Sequence, residues 1–239
     1  MLREIDMLRS YPQPEERVVG DRTIQHRILA SYRGYDFFDG KREYGYGGMK
    51  DDNRWSAVAA DMCKEYEVTK DSIILQINCE KGYLLRAFID LLPGVKVVGV
   101  EPSSYARRHA PESVKKSILP SWKFDVEAFD LVIALGVVYT FNLPDAIACL
   151  RKIDRLGFRS FITLAAYETE EDLRLFKKWS LLGTTILKRD EWIEVMDHAG
   201  YVGDFSFVTA QSLRLRERWL PTAEEEIQAR VLYESLKRA

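Results

Sequence analysis

Short apolar runs alternate with longer amphipathic stretches along most of the chain. SIILQI (72–77), VKVVGV (95–100), FDLVIALGV (129–137), RSFITLAAY (159–167) and DFSFVTA (204–210) are short and carry few polar interruptions, which predicts buried strands. Between them apolar positions recur at helical spacing. Trp55, Val58, Met62 and Tyr66 form one stripe, and Leu84, Leu85, Phe88, Ile89 and Leu92 form a second that Pro93-Gly94 stops. SSYARRHA (103–110) predicts a short helix. LPDAIACLRKIDRLG (143–157) has Pro144 in its first turn and Gly157 as terminator. TEEDLRLFKKWSLLG (169–183) opens on Thr169 and then three acids, which suits the helix dipole. DEWIEVMDHAG (190–200) predicts a further helix. The capping box Thr222-x-x-Glu225 opens a last one, with Ile227, Val231, Leu232 and Leu236 on one stripe. Strands alternating with helices predict an α/β fold, a doubly wound and mostly parallel sheet with helices on both faces. The expected organisation is one domain over residues 55–210, an N-terminal extension over 1–54, and a C-terminal tail and helix over 211–239.

Composition narrows the function classes. The chain has 239 residues, 46% of them hydrophobic and 30% charged, and its 35 basic and 37 acidic residues leave a net charge of −2. That balance implies no general nucleic-acid or membrane electrostatics. No apolar run approaches the roughly 20 residues that span a bilayer. The charged start MLREIDMLRS lacks a signal-peptide core, so a cytoplasmic protein is expected. Three widely spaced cysteines and three histidines give no metal pattern. Residues 1–50 stand apart as polar and Arg-rich, and they end in a glycine–tyrosine interleave, YGYGG. Tyr44, Tyr46 and the nearby Arg54 are candidate substrate contacts on a lid or pocket wall, the alternative being a packed surface loop. Trp179 and Trp192 read as core residues on apolar helix faces, and Cys79 as a small buried residue.

The chemistry concentrates in LQINCEKGYLL (75–85). An apolar strand runs into a tight loop and a helix, and about 20 residues past the loop the next strand ends in an acid, Glu101. That spacing suits an acid that accepts from ribose hydroxyls. With YGYGG–DDNRW, LLPGVKVVGVEPSSYA, FDLVIALGV, LRKIDRLG and TILKRDEWIEVMDHAGYVGDF, the loop resembles the class I S-adenosylmethionine-dependent methyltransferases over roughly residues 40–208. The resemblance implies a Rossmann-like domain and S-adenosylmethionine as cofactor. It implies cofactor contacts at Asn78, Cys79, Glu80, Gly82, Glu101, Pro102 and Gly136. The family's loop reads roughly D-x-G-x-G-x-G, which falls here on Gln76 to Gly82, so only the last glycine is kept. The family's polar group after the third strand falls on Ser117-Ile118-Leu119. After the fourth strand, Tyr139 is the candidate proton-transfer residue.

The departures have physical consequences. A non-glycine held at φ > 0 costs on the order of 1–3 kcal/mol, and asparagine less than glutamate. Glu80 brings a negative charge close to the expected position of the cofactor's carboxylate, unless Lys81 pairs with it and withdraws it. Three readings stay open at this point. The first is an active methyltransferase of a small molecule. The second is a catalytically inactive methyltransferase-like pseudoenzyme that serves as a scaffold or pairs with an active relative. The third is a doubly wound protein for another nucleotide, such as a dinucleotide. An open cavity beside Glu101 favours the first; one filled by Glu80, Ile118 or Trp122 favours the second. The apolar stripe of the C-terminal helix must pack on its own domain or on a second subunit, and a homodimer is the preferred expectation.

Overall fold

A computed structural model describes residues 2–20, 22–123 and 128–217. The capping box at Thr222 and the helix expected after it lie outside these residues. In chain order the elements are β1 (Arg3–Glu4), β2 (Arg17–Val19), α1 (Ile24–Ser31), α2 (Tyr35–Phe38), α3 (Ser56–Glu65), β3 (Ile73–Ile77) and α4 (Tyr83–Leu91). They continue as β4 (Lys96–Val100), α5 (Ser104–Arg108), α6 (Glu112–Lys115), β5 (Ile118–Leu119), β6 (Phe129–Ala134), a 3₁₀ turn (Val138–Thr140) and α7 (Leu143–Leu156). The last are β7 (Gly157–Tyr167), α8 (Glu170–Trp179), β8 (Leu187–Lys188), α9 (Arg189–Ala199), β9 (Asp204–Val208) and β10 (Leu215–Glu217).

The main sheet runs β1-β9-β7-β6-β3-β4-β5, with β8 beside β7, and every ladder among the described residues is parallel. From β3 the chain winds outward through β4 to β5. It then returns past its start to β6 and winds the other way through β7 and β9. This is the doubly wound, Rossmann-like architecture the alternation predicts, and its strand order reverses between β3 and β6. Register sets the ends level: Ile77 lies opposite Val100 on one side and Ala134 on the other. Residues 78, 101 and 135 therefore leave the sheet side by side.

Both faces are covered, which is why the strands read as continuous apolar runs. Val58, Met62, Leu84, Leu85 and Phe88 from α3 and α4 pack on one face, against Ile74, Val97 and Leu131. Leu150, Ile153, Phe176, Trp192 and Met196 from α7, α8 and α9 pack on the other. Trp192 is fully buried and its indole donates to the Ala165 carbonyl at 2.7 Å.

Gly157 does not stop α7 by a left-handed turn. It is extended, at φ −117°, and starts β7 directly. A Cβ there would lie 2.8 Å from Val132 Cγ2, so close packing requires the glycine. The expected strand 129–137 ends at Ala134, because Gly136 takes φ +66° and turns the chain into the 3₁₀ segment.

Residues 1–54 are woven into this sheet. β1 adds an edge strand beside β9, and β2 pairs in parallel with β10 from the 211–239 tail. The stretch between them, α1, α2 and YGYGG, lies across the carboxyl ends of β3 and β4. Among the described residues no helix is long and apolar enough to cross a membrane.

Candidate functional site

The loop after β3 has the backbone that a glycine-rich turn would have. Asn78, Glu80 and Gly82 sit at φ +54°, +58° and +75°, the three glycine places of the pattern quoted above. Gly82 also opens α4, where a Cβ would lie 2.9 Å from Ile118 Cδ1. Cys79 points away from the opening into the sheet: a Cβ on Gly99 would be 2.5 Å from its sulfur. Burial first, then Glu101 and Glu80, push its thiol well above the usual range, so it is an inert core residue.

Glu101 leaves the end of β4 and is fully buried. Its oxygens accept from the Ser103 amide at 2.8 Å, the Glu80 amide at 2.9 Å and Arg33 Nη2 at 3.1 Å. Arg33 reaches it from the loop between α1 and α2, with its guanidinium over the rings of Phe37 and Phe38. What covers Glu101 is thus Arg33, rather than Ile118 or Trp122. Pro102 is exposed beside it, and its carbonyl accepts from Arg107.

The N-terminal segment closes over the loop through two further contacts. Tyr46 lies against Phe37 and Phe38, and its hydroxyl donates to Glu80 Oε1. Lys81 turns to Asp39 at 2.6 Å rather than to Glu80, and the Tyr105 hydroxyl shares that carboxylate at 2.6 Å. Gly45 allows the close approach: a Cβ would fall 2.0 Å from the Phe37 carbonyl oxygen. Tyr44 instead packs edge-on against His26, and Arg54 pairs with Asp52 over Tyr11. Neither lines the cavity.

That cavity, about 130 Å³, sits at the point where strand order reverses. Asn78 and Glu80 form one side, Gly136 and Tyr139 the second, Tyr46 and Arg33 the third. The Gly136 amide donates to Thr163 Oγ1 at 2.7 Å, and the Tyr139 ring stands edge-on to Phe176. Desolvation raises the Glu80 carboxyl to about 7 against the opposing pull of Tyr46 and Arg33. Tyr46 is exposed and Glu80 half-buried, and both face the cavity. Tyr139 is pushed to about 12 by burial and then by Glu80, so at neutral pH its phenol is a hydrogen-bond donor and not a base. The group poised near neutrality is Glu80.

Sequence reasoning located the loop, Glu101, Gly136, Tyr139 and Tyr46. It missed Arg33, Asp39, Arg22 and Arg42, for which the only signal was the arginine richness of residues 1–50. Trp179 also departs from its expected core role. It is half-buried, walls the cavity, and its indole Nε1 is buried without a partner among the described residues.

No family profile and no curated protein match this chain. Solved structures with a similar fold include the N-terminal domain of EvdMO1 with SAH bound, at 16% identity and TM-score 0.45, covering 76% of this chain and 87% of that one. The YcgJ protein of Bacillus subtilis matches at 16% identity and TM-score 0.47, over 59% and 66% of the two chains. The mitomycin 7-O-methyltransferase MmcR matches at 15% identity and TM-score 0.44, over 62% and 50%. Likeness at this level carries no inference about the chemistry here, which rests on the geometry above.

Proposed function

We propose that this chain is an S-adenosylmethionine-dependent methyltransferase of a small molecule. The observation that carries the reading is the left-handed backbone at positions 78, 80 and 82, kept although two of them are not glycine, beside Glu101 and a cavity at the switch point. A fold retains such strain where the surrounding structure over-determines it.

The groups present fit the cofactor in kind. Glu101 is a carboxylate with about four lone-pair sites, one of which Arg33 takes and could yield to ribose hydroxyls. Asn78, Glu80 and Gly136 line the adjoining space. The space itself requires Arg33 and Tyr46 to withdraw, because about 130 Å³ is well below the roughly 300–1,000 Å³ of ordinary ligand pockets. The bound cofactor would supply an electrophilic methyl group. Of the chain's own residues, Glu80, released by Tyr46 as it withdraws, accepts the proton from the acceptor's oxygen or nitrogen, and the protonated Tyr139 donates a hydrogen bond into the cavity. Placement of the acceptor supplies most of the acceleration.

A second reading is favoured by the Arg33–Glu101 pair, which already occupies the acid on which the cofactor depends. In it the chain is a non-catalytic methyltransferase-like partner subunit. Calorimetric titration with S-adenosylmethionine and S-adenosylhomocysteine separates the two, using the native chain, Glu101→Gln and Arg33→Ala. Micromolar binding that weakens at least about tenfold in Glu101→Gln supports the enzyme. Binding that arises only in Arg33→Ala supports the partner subunit. No binding in any of the three overturns the cofactor assignment.

A further inference from the structure

Several arginines elsewhere on the surface meet carboxylates: Arg3 pairs with Asp204, Arg86 with Asp51, Arg174 with Glu171 and Arg189 with Glu168, whereas among the described residues Arg107 and Arg151 do not. Nor do four arginines beside the cavity. Arg17 donates to the Leu213 carbonyl at 2.7 Å and to the Gln13 side chain. Arg22 donates to the carbonyls of Trp179 and Arg42. Arg27 donates to the carbonyls of Lys177, Ser180 and Leu181, and Arg42 to that of Gly45. Among the described residues no carboxylate lies within ion-pair distance of any of them. The nearest acids at the rim are held elsewhere, Glu16 by Arg216 and Glu217 by Arg174 and Lys178.

Backbone carbonyls satisfy guanidinium hydrogen atoms but cancel no charge. Clustered like charges without a counter-charge among the described residues are unfavourable. Burial first, then Arg42 and Arg27, lower the Arg22 guanidinium to about 10. Arg17 and Arg42 are lowered for the same leading reason.

A second cavity of about 320 Å³ opens against Arg17, Arg22, Arg42, Lys178 and Trp179, and Glu16, paired with Arg216, also lies on its lining. It shares Arg22, Arg42 and Trp179 with the first cavity, so a ligand could span both.

We propose that this arginine-walled cavity is a subsite for a phosphoryl group, held while the rest of the same molecule reaches the cavity beside Glu80 and Tyr139. The inference names the class of the acceptor and, in that respect, rests on the function proposed above; the anion site itself does not. Arginine forks match phosphate oxygens in pairs, and a lysine beside them adds a point charge. A phosphate monoester carries about −1.5 to −2 at neutral pH, which offsets the cluster better than the single charge of a carboxylate.

The test is titration of the full-length chain with inorganic pyrophosphate and inorganic phosphate, by calorimetry and thermal melting. Acetate, and sodium chloride at matched ionic strength, are the controls. The expected result is saturable pyrophosphate binding with a raised melting temperature. Affinity should fall at least about tenfold in Arg22→Gln and in Arg42→Gln, and less in Arg22→Lys. Arg9→Gln, on the exposed surface beside Asp61, should leave it unchanged. If Arg22→Gln does not fold, Arg17→Gln and Arg42→Gln at the rim carry the comparison. No shift beyond that of sodium chloride, an equal response to acetate, or equal binding in the Arg42→Gln and Arg9→Gln variants overturns the proposal. Pyrophosphate binding without S-adenosylmethionine binding would leave the subsite standing and remove the methyltransferase reading. The converse would remove the subsite alone.

Discussion

Around the cavity, the wall made by strand ends and the wall made by residues 17–46 with the end of α8 handle charge differently. On the first, the three charged side chains have each found a partner from the N-terminal segment: Glu101 has Arg33, Lys81 has Asp39, and Glu80 accepts from Tyr46. On the second, Arg17, Arg22, Arg27 and Arg42 meet carbonyls and the Gln13 side chain, and no carboxylate among the described residues. Closing the first wall stabilises the fold and obstructs the position proposed for the cofactor. Leaving the second uncompensated costs stability and suits a polyanion. Removing the charge of Glu101 or Lys81 should therefore be expensive on the first wall, and removing one on the second nearly neutral.

The largest effect is expected at Glu101→Ala. It strands Arg33, whose side chain is 18% exposed, and leaves the amides of Glu80 and Ser103 without their acceptor. Urea unfolding should show a loss of about 3–5 kcal/mol. Lys81→Met should follow, at about 2 kcal/mol, since Asp39 keeps Tyr105 and some solvent when the ammonium is removed. Its hydrogen-exchange signature should be faster exchange across residues 36–49, the segment this ion pair holds down.

Glu80 tests the strand-end wall by pH. Its carboxyl titrates near 7 in the fold against 4.5 in the unfolded chain. Between these values the folded state binds the proton more tightly, so stability should fall as pH rises through the window and be fully present below about 4.5. Melting curves of Glu80→Gln should lack that slope. Glu80→Gly should in addition gain about 1 kcal/mol at neutral pH, by relieving a left-handed residue that carries a Cβ. The smallest effect is expected at Arg42→Gln: within about 0.5 kcal/mol in the absence of ligand, by urea unfolding, because the lost bond to the Gly45 carbonyl is offset by reduced repulsion. A loss as large as that of Lys81→Met would erase the contrast between the walls.

Much of the strand-end wall was legible in the sequence because its determinants are local. An apolar run, a turn and a helix stripe identify the loop, and an acid one strand later identifies Glu101. Even the conformation at Asn78 and Glu80 followed from the glycine pattern those positions occupy, and the chain adopts φ > 0 there with the wrong residues. The partners were not legible. Lys81 beside Glu80 suggested a local pair, yet the ammonium turns to Asp39, because Glu80 leans to Tyr46 and Asp39 is presented by a segment folded over the loop. Tyr44 and Tyr46 looked equivalent in YGYGG. The turn at Gly45 and Gly47 sends one to His26 and the other into the cavity.

The periods and lengths of its apolar runs by themselves determined a parallel, doubly wound sheet with a tight loop after β3, since those properties depend on near neighbours in the chain. Only the tertiary structure decided what stands around that loop. Arg33 meets Glu101 across 68 positions, Tyr46 meets Glu80 across 34, and Arg22 meets the Trp179 carbonyl across 157. Such contacts arise when separate elements bury their surfaces against one another, and no local pattern encodes which polar groups that burial brings face to face.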